Sequence, residues 1–406
     1  MGTQLNHAPP MAPAPPRLDS VDLLRGVVII IMALDHVRDF FSDRLPLYDP
    51  TDLDRASPAL FLTRWVTHYC APTFVFLAGV GAFLSGTRGK SKSELAWFLL
   101  TRGLWLALLE VTIIRLLWMF YWSIYEHGAG VFWPLGWGMV ILAGLIYLPM
   151  PVIAIFGLVM IAFHNLLDGL TASQVGLPNL LWVILHSGGK GIIMQTETYQ
   201  VTFETGYCLI PWVGVMALGY CFGPILLREP VHRRNTMLSI GMMMTLGFIV
   251  LRAVNVYGDA SRWTVQPTFI MTVMSFLNCS KYPPSLLYLL MTLGPAIMAL
   301  ALFDQLRGKF VQLIITFGRV PLFFYLLHIL LIHGGAVALD YARFGWSPLA
   351  NSGPWDLANK IVPLQYGVSL PMVYLLWIML LIILYLPCQW YAGVKQRHRN
   401  PWLSYL

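Results

Sequence analysis

Long apolar runs separated by short polar stretches dominate the pattern of this 406-residue chain. A membrane-spanning helix needs about 20 mostly apolar residues, and about ten runs approach or exceed that length. The pattern therefore predicts an all-α, polytopic membrane bundle of about ten transmembrane helices. The predicted spans are residues 21–41, 62–84, 95–121, 135–148, 151–167, 207–227, 236–256, 285–303, 320–338 and 370–387. Two shorter apolar runs, residues 180–185 and 269–276, are predicted to be interfacial or re-entrant.

Both ends of the chain differ in composition from the apolar spans between them. Residues 1–16 are rich in Pro and Ala and lack the basic start of a signal peptide, so they predict a disordered tail. Residues 17–394 contain every predicted span and are interpreted as a single transmembrane domain. Residues 395–406 are predicted to form a basic cytoplasmic tail.

The positions of Lys and Arg predict the orientation of the bundle, because basic loops resist translocation. Basic residues cluster in three connections and in the C-terminal tail: Arg88, Lys90 and Lys92; Arg228, Arg233 and Arg234; Arg307 and Lys309; Lys395, Arg397 and Arg399. With ten spans these four clusters fall on one side, together with Arg17. Both termini are therefore predicted to be cytoplasmic.

Composition excludes several classes of protein. The chain is 57% hydrophobic and 11% charged, with a mean hydropathy of +0.67, whereas soluble domains are roughly 45–50% apolar and 25% charged. A soluble enzyme is excluded, since its surface would need more charge. The net charge of +7 is spread over short loops, so no nucleic-acid partner is predicted. The five cysteines lack metal-ligand spacing and are interpreted as buried thiols, and no metal is predicted.

The first predicted span carries ionisable side chains where they are costly. At about 100° per residue, Asp22, Arg25, Asp35, His36 and Asp39 fall on one face. Arg25 and His36 are three turns apart, roughly 16 Å along the axis. If these groups were instead solvated at the two ends of the helix, only about ten apolar residues would remain between them, too few to cross. The polar face is therefore predicted to point into the bundle and to be functional.

His36 is the predicted centre of the chemistry, because imidazole takes and returns a proton near neutral pH. We expect Asp39, at i+3, to hold its ring in one tautomer. Asp35 would do so less directly, since Arg38 is its natural partner at i+3. Further polar candidates at comparable depth are Arg64, His68, Glu110, Arg115, His328 and His333. For these we also consider packing roles: an ion pair of Glu110 with Arg102 or Arg115, and hydrogen-bonded histidines without chemistry.

Six sequence blocks resemble the catalytic-domain family of heparan-alpha-glucosaminide N-acetyltransferase, particularly its bacterial members. They are RLDSVDLLRG at 17–26, MALDHVRD at 32–39, APTFVFLAG at 71–79, IPWVGVMALG at 210–219, KYPPSLLY at 281–288 and GRVPLFFYLLH at 318–328. The spacing of Arg25 and His36 is also similar to the first-span motif of the acyltransferase 3 family. The lysosomal enzyme has a different residue at the position that His36 matches, so its catalytic residues and its substrate do not carry over.

The resemblance implies an integral-membrane acyltransferase. Such a protein would move an acyl group, most simply acetyl, from cytosolic acyl-CoA to a hydroxyl or amine of a glycan or similar small-molecule acceptor on the far side. His36 would be the catalytic histidine, and Arg25, with Arg88, Lys90, Arg319 or Lys309 from the same side, would attract the phosphates of CoA. Asp22 is a further candidate site residue. The expected partners are membrane lipid, acyl-CoA and the acceptor, and the expected location is a bacterial inner membrane. Helix pairing in lipid allows a homo-oligomer, although no small-residue dimerisation motif stands out.

Two aspects of the chemistry stay open at this stage. His36 could act as a general base or could carry the acyl group covalently. The developing oxyanion needs a donor, for which depth in the membrane suggests Arg64, His68 or Tyr325.

A second class of function is a proton-coupled secondary transporter, because intramembrane Asp, Glu and His residues also form proton relays. A third is a structural membrane partner without chemistry.

Overall fold

A computed structural model describes residues 18–44, 47–359, 362–363, 365–398 and 403. Helices make up 69% of the structure. The α-helices are α1 (Asp19–Phe41), α2 (Pro58–Thr67), α3 (Cys70–Gly86), α4 (Lys92–Leu109), α5 (Arg115–Met119), α6 (Phe132–Leu145), α7 (Met150–Phe163), α8 (Asn179–Trp182), α9 (Leu209–Leu226), α10 (Pro230–Val254), α11 (Phe269–Leu277), α12 (Leu286–Phe303), α13 (Lys309–Arg319), α14 (Pro321–Phe344) and α15 (Leu370–Arg397). The predicted tail at 1–16 lies outside the described residues, as does most of the chain beyond residue 398.

Eight helical segments of the described chain are long and apolar enough to cross a membrane. They are Pro58–Gly86, Lys92–Met119, Met150–Leu167, Leu209–Leu226, Pro230–Val254, Leu286–Phe303, Pro321–Phe344 and Leu370–Arg397. The other two predicted spans correspond to α6, which has only 14 residues, and to α1, which has 23 residues but is rich in Asp and Arg. The short runs predicted to be interfacial or re-entrant form short helices, α8 with the π-turn Val183–Ser187 and α11.

Helix α1 lies in the interior of the bundle. It packs against α3, α12, α13, α14 and α15. At its crossing with α13 the two backbones touch, because a Cβ on Gly26 would overlap the Ile314 carbonyl and one on Gly318 would overlap the Asp22 carbonyl. The absence of side chains at these two glycines brings the start of α1 against the end of α13. This contact fixes the position of Arg25 in the site described below.

The outer helices present apolar side chains to the surroundings. Only 22% of the α10 span and 17% of the α15 span are buried within the protein. Met243 on α10 is 69% exposed, and Ile382 on α15 is 68% exposed. Apolar exposure on this scale is unfavourable in water and is expected for surfaces in contact with lipid.

A small sheet departs from the predicted all-α structure. Its strands are β1 (Glu126–Ala129), β2 (Gly189–Gln195) and β3 (Gln200–Thr205), in the order β1-β3-β2. β1 is parallel to β3, and β2 is antiparallel to it. The strands come from two connections that are distant in sequence, so hydropathy gave no indication that they would pair. Their pairing joins the α5–α6 connection to the α8–α9 connection.

Candidate active site

The centre of the site is a pair of histidines from two helices. Nδ1 of His36 on α1 lies 2.7 Å from Nε2 of His328 on α14. The two rings are stacked, with their centroids 5.0 Å apart. His328 is fully buried, whereas His36 is partly exposed. Within the described chain, His328 is the only hydrogen-bond partner of the His36 ring.

The surroundings of His328 determine which nitrogens carry protons. Its Nδ1 lies 2.5 Å from the carbonyl oxygen of Tyr325 and 3.0 Å from that of Phe324. A carbonyl only accepts, so in a neutral His328 ring Nδ1 carries the proton and Nε2 accepts. Nδ1 of His36 must then donate to it, which leaves the lone pair of the His36 ring on Nε2. The arrangement thus presents His36 in the tautomer that a general base requires.

Two aromatic side chains contact the His36 ring edge-on. Trp118 meets its ring edge-on at 4.9 Å between centroids, and Tyr325 does so at 5.9 Å. The Trp118 indole N–H donates to the Tyr325 hydroxyl over 3.0 Å. Because the Tyr325 oxygen accepts this bond, its own hydrogen is directed to another acceptor. Of the three oxyanion donors suggested from the sequence, Tyr325 is the one that lies beside His36.

The two aspartates predicted to support His36 belong to a different network. Asp35 accepts from Arg64 over 2.6 Å and from Thr67 over 2.8 Å, and it pairs with Arg38 at 2.8 Å. Asp39 pairs with Arg38 at 2.5 Å. The prediction that Asp39 holds the His36 ring is therefore wrong, because the ring bonds to His328 and the Asp39 carboxylate pairs with Arg38. Arg64, one of the suggested oxyanion donors, is paired with Asp35. The predicted i+3 pair of Asp35 and Arg38 is confirmed.

A cavity of about 440 Å³ extends along α1 toward this pair. Its walls in the middle are apolar. At one end it is lined by Met32 and Tyr325, each about one helical turn before a histidine of the pair. At the other end are Arg25, near the start of α1, and four more basic residues: Arg88, Arg102, Arg319 and Lys395. The cavity therefore joins a basic mouth to the neighbourhood of His36.

Arg25 is held at the mouth by contacts with α1 and α13. Its Nη1 donates to Asp22 over 3.1 Å and to the Gly318 carbonyl over 3.3 Å. Arg319 lies 3.4 Å from Asp19 and 3.9 Å from Asp22. The Asp22 carboxylate thus lies between two guanidinium groups and orients both.

The remaining candidates are placed away from the histidine pair. Glu110 is buried and accepts from the backbone N–H of Phe132 over 2.8 Å. Of the two arginines considered as its ion-pair partners, Arg102 lines the cavity and Arg115 donates to the Glu126 carbonyl over 2.8 Å. Glu110 instead secures the start of α6.

Two further histidines have packing roles. The His68 ring meets Tyr288 edge-on, and the Tyr288 hydroxyl donates to the His68 carbonyl over 2.8 Å. His333 lies between two carbonyl oxygens, at 2.8 Å from that of Leu117 and 2.9 Å from that of Leu349. His333 corresponds to the hydrogen-bonded alternative considered from the sequence, whereas Nδ1 of the buried His68 ring has no hydrogen-bond partner among the described residues.

Sequence reasoning missed three features. It did not pair His36 with His328, it left Arg102 and Lys395 out of the CoA candidates, and it did not connect His164, Asp168 and His186, whose ligand atoms lie within 4.8 Å of one another. A signal for Arg102 was available. Phe98, Leu99, Arg102 and Leu106 recur at helical spacing, and all four line the cavity.

These features define a polytopic helical membrane protein with an imidazole pair beyond the inner end of a cavity whose mouth is basic. A family model described as heparan-alpha-glucosaminide N-acetyltransferase, catalytic, matches residues 17–261. The match covers more than half of the chain, which therefore belongs to this family. The resemblance stated above is confirmed, and membership implies an acetyltransferase. The matched region contains Arg25 and His36 and ends before His328. No curated protein matches the chain.

Proposed function

We propose that this protein transfers an acetyl group from acetyl-CoA to a hydroxyl or amine of a glycan or similar acceptor, with His36 as the general base. One observation carries the proposal: the 2.7 Å contact between His36 and His328 leaves the His36 lone pair on Nε2, and Tyr325, whose ring meets that of His36, lines a cavity with a basic mouth. Membership of an acetyltransferase family supports transfer over proton-coupled transport.

The cavity suits a CoA thioester. CoA carries phosphates at one end and an acylated thiol at the other, joined by a long, uncharged arm. Arg25 and its basic neighbours would bind the phosphates, since guanidinium groups match phosphate oxygens. The apolar walls would hold the arm, and the thioester would reach the level of Met32 and Tyr325. A volume of about 440 Å³ lies within the usual range for small-molecule sites.

In the simplest reaction, Nε2 of His36 removes the acceptor proton while the acceptor oxygen or nitrogen attacks the thioester carbonyl. The Tyr325 hydroxyl donates to the oxyanion of the tetrahedral intermediate. The intermediate collapses, the C–S bond breaks, and the leaving thiolate takes up the proton that His36 held. A covalent route is also consistent with this geometry: Nε2 attacks the thioester carbonyl first, and the C–S bond breaks to release the CoA thiolate. The acceptor then attacks the acetyl-imidazole, the N–C bond breaks, and the acceptor proton passes to Nε2.

We further propose that α1 and α6 complete a bundle of ten spans, with both termini in the cytoplasm of a bacterial cell and the bundle in its inner membrane. The basic mouth supports this orientation. Arg88 follows α3, Arg319 ends α13 and Lys395 lies near the end of α15, so all three belong to the face that carries the basic loops. Acetyl-CoA would enter from that face, and the acceptor would approach from the opposite one.

The test is CoA release by the purified full-length protein with acetyl-CoA and a panel of amino and hydroxyl sugars. His36→Gln should lower kcat by about a hundred- to ten-thousand-fold, the usual range for losing a general base. His232→Gln is the matched control, because this histidine lies exposed at the start of α10. If the wild-type protein neither binds acetyl-CoA nor releases CoA with any acceptor, the proposal is wrong.

A further inference from the structure

A second cluster of side chains lies outside the active site, where α7 ends beside the turn that leads into β2. His164 begins the 3-10 turn His164–Leu167, and Asp168 directly follows it. His186 belongs to the π-turn Val183–Ser187. The mechanism proposed above uses none of these residues.

The two histidines are buried without the partners that buried imidazoles normally have. Each is only 2% exposed. Among the described residues, neither ring nitrogen of His164 has a hydrogen-bond partner, and Nδ1 of His186 has none. Buried polar atoms are nearly always paired. His164 therefore lacks a partner that a ligand beside it would supply.

The spacing of the cluster suits a metal ion. Nε2 of His186 lies 3.3 Å from Oδ1 of Asp168, longer than a typical N–H···O bond. Two atoms bound tetrahedrally at the usual zinc distances are themselves about 3.3–3.4 Å apart. One nitrogen of His164 lies within 4.8 Å of both atoms, so a small rotation of its side chain completes three ligands.

Neighbouring residues orient the cluster as they do in metal sites. The Asn165 amide donates to Oδ2 of Asp168 over 2.7 Å, which leaves Oδ1 facing His186. The side-chain oxygen Oδ1 of Asn165 accepts from the Leu286 backbone N–H over 2.9 Å and ties the carboxylate to α12. Trp182 covers the His186 ring, at 4.9 Å between centroids. Such outer contacts fix ligand geometry and shield the ion.

We infer that His164, Asp168 and His186 bind a zinc ion. Two imidazoles and one carboxylate favour zinc over magnesium or calcium, which prefer oxygen ligands. The Asp168 side chain is 21% exposed, so water reaches the fourth position. The ion would fasten the end of α7 to the turn before β2 and close the 169–178 connection between them. This role is separate from acetyl transfer.

The test measures metal content and needs no turnover. Full-length protein is purified with a tag that contains no histidine, stripped with a chelator, reloaded with zinc chloride, desalted and assayed by mass spectrometry. We expect about one zinc per chain in the wild type and less than about a tenth in His164→Ala or His186→Ala. His232→Ala is the control and should retain its zinc. Zinc should also raise the melting temperature of the stripped wild type but not of the two variants.

Cobalt gives an independent reading in case the alanine variants do not fold. Cobalt added to the stripped wild-type protein should produce the visible absorption of a low-symmetry, four-coordinate site, and Asp168→Asn should weaken it. The inference is overturned if the wild type takes up less than about a tenth of an equivalent of zinc and shows no such spectrum. Equal loss of zinc in the His232→Ala control would also overturn it.

Discussion

Helices α1 and α15 are comparable in length and have opposite relations to their surroundings. In α1, the charged side chains of Asp35, Arg38 and Asp39 are buried. In α15, Ile382 and Leu386 are 68% and 69% exposed. These two sets of residues are therefore distributed in the reverse of the order found in water-soluble domains, with charges inside and apolar side chains outside. In lipid, charges are stabilised only by partners inside the protein, while apolar side chains need no shelter.

The largest expected effect on stability comes from the buried charges of α1. Arg38→Met leaves the Asp39 carboxylate buried without its partner and removes one of the cations beside Asp35. Loss of one member of a buried ion pair costs about 3–5 kcal/mol of stability. Thermal unfolding in detergent measures it. Arg397→Met, at the exposed end of α15, is the matched control and should unfold as the wild type does. If both variants lose the same amount of stability, the buried charges of α1 contribute no more to stability than an exposed charge does.

The next effect concerns the contact between α1 and α14. His328→Leu removes the acceptor for Nδ1 of His36, so the His36 ring loses its fixed tautomer. We expect kcat to fall about 10–100-fold, as for other residues that orient a functional histidine, with little change in KM. His328→Gln should recover part of the loss, because its side-chain oxygen accepts a hydrogen bond. If the Leu variant keeps the wild-type kcat, the histidine pair does not control the base.

A smaller effect is expected at the other end of α1. Arg25→Gln removes a charge-assisted contact with the CoA phosphates and should raise KM for acetyl-CoA about tenfold, since Arg25 is partly exposed and the contact is screened. The control is acetylpantetheine, a thioester donor without phosphates. Its KM should be the same for the variant and the wild type. A parallel rise with both donors would place Arg25 outside phosphate binding.

The smallest effect is expected on α15. Ile382→Ala should change the free energy of unfolding by less than about 0.5 kcal/mol, because the side chain contacts lipid instead of protein. Ile29→Ala on α1, where the side chain is 1% exposed, should cost at least about 1 kcal/mol more. Unfolding of the two variants in the same detergent compares them directly. Equal costs would contradict the different surroundings assigned to the two helices.

Much of the fold and part of the site were predictable from the sequence. The eight apolar spans follow from hydropathy, and the position of α1 in the bundle interior follows from the alignment of its polar residues. The span predicted at 135–148 corresponds to α6, which begins and ends three residues earlier. The sheet was harder to predict, because β1 and β3 pair across a long separation in sequence.

The sequence by itself determined that this protein lies in a membrane, belongs to its family and carries Arg25 and His36 on one face of its first helix. These properties depend on composition and on spacing within a single helix. Only the tertiary structure decided that His328, instead of Asp39, holds His36, and that Asp35 pairs with Arg64. Spacing gives the angle of a residue around its own helix, whereas its partner depends on which neighbouring helix packs against that face. Contacts such as the one between Gly26 and Ile314 set that packing.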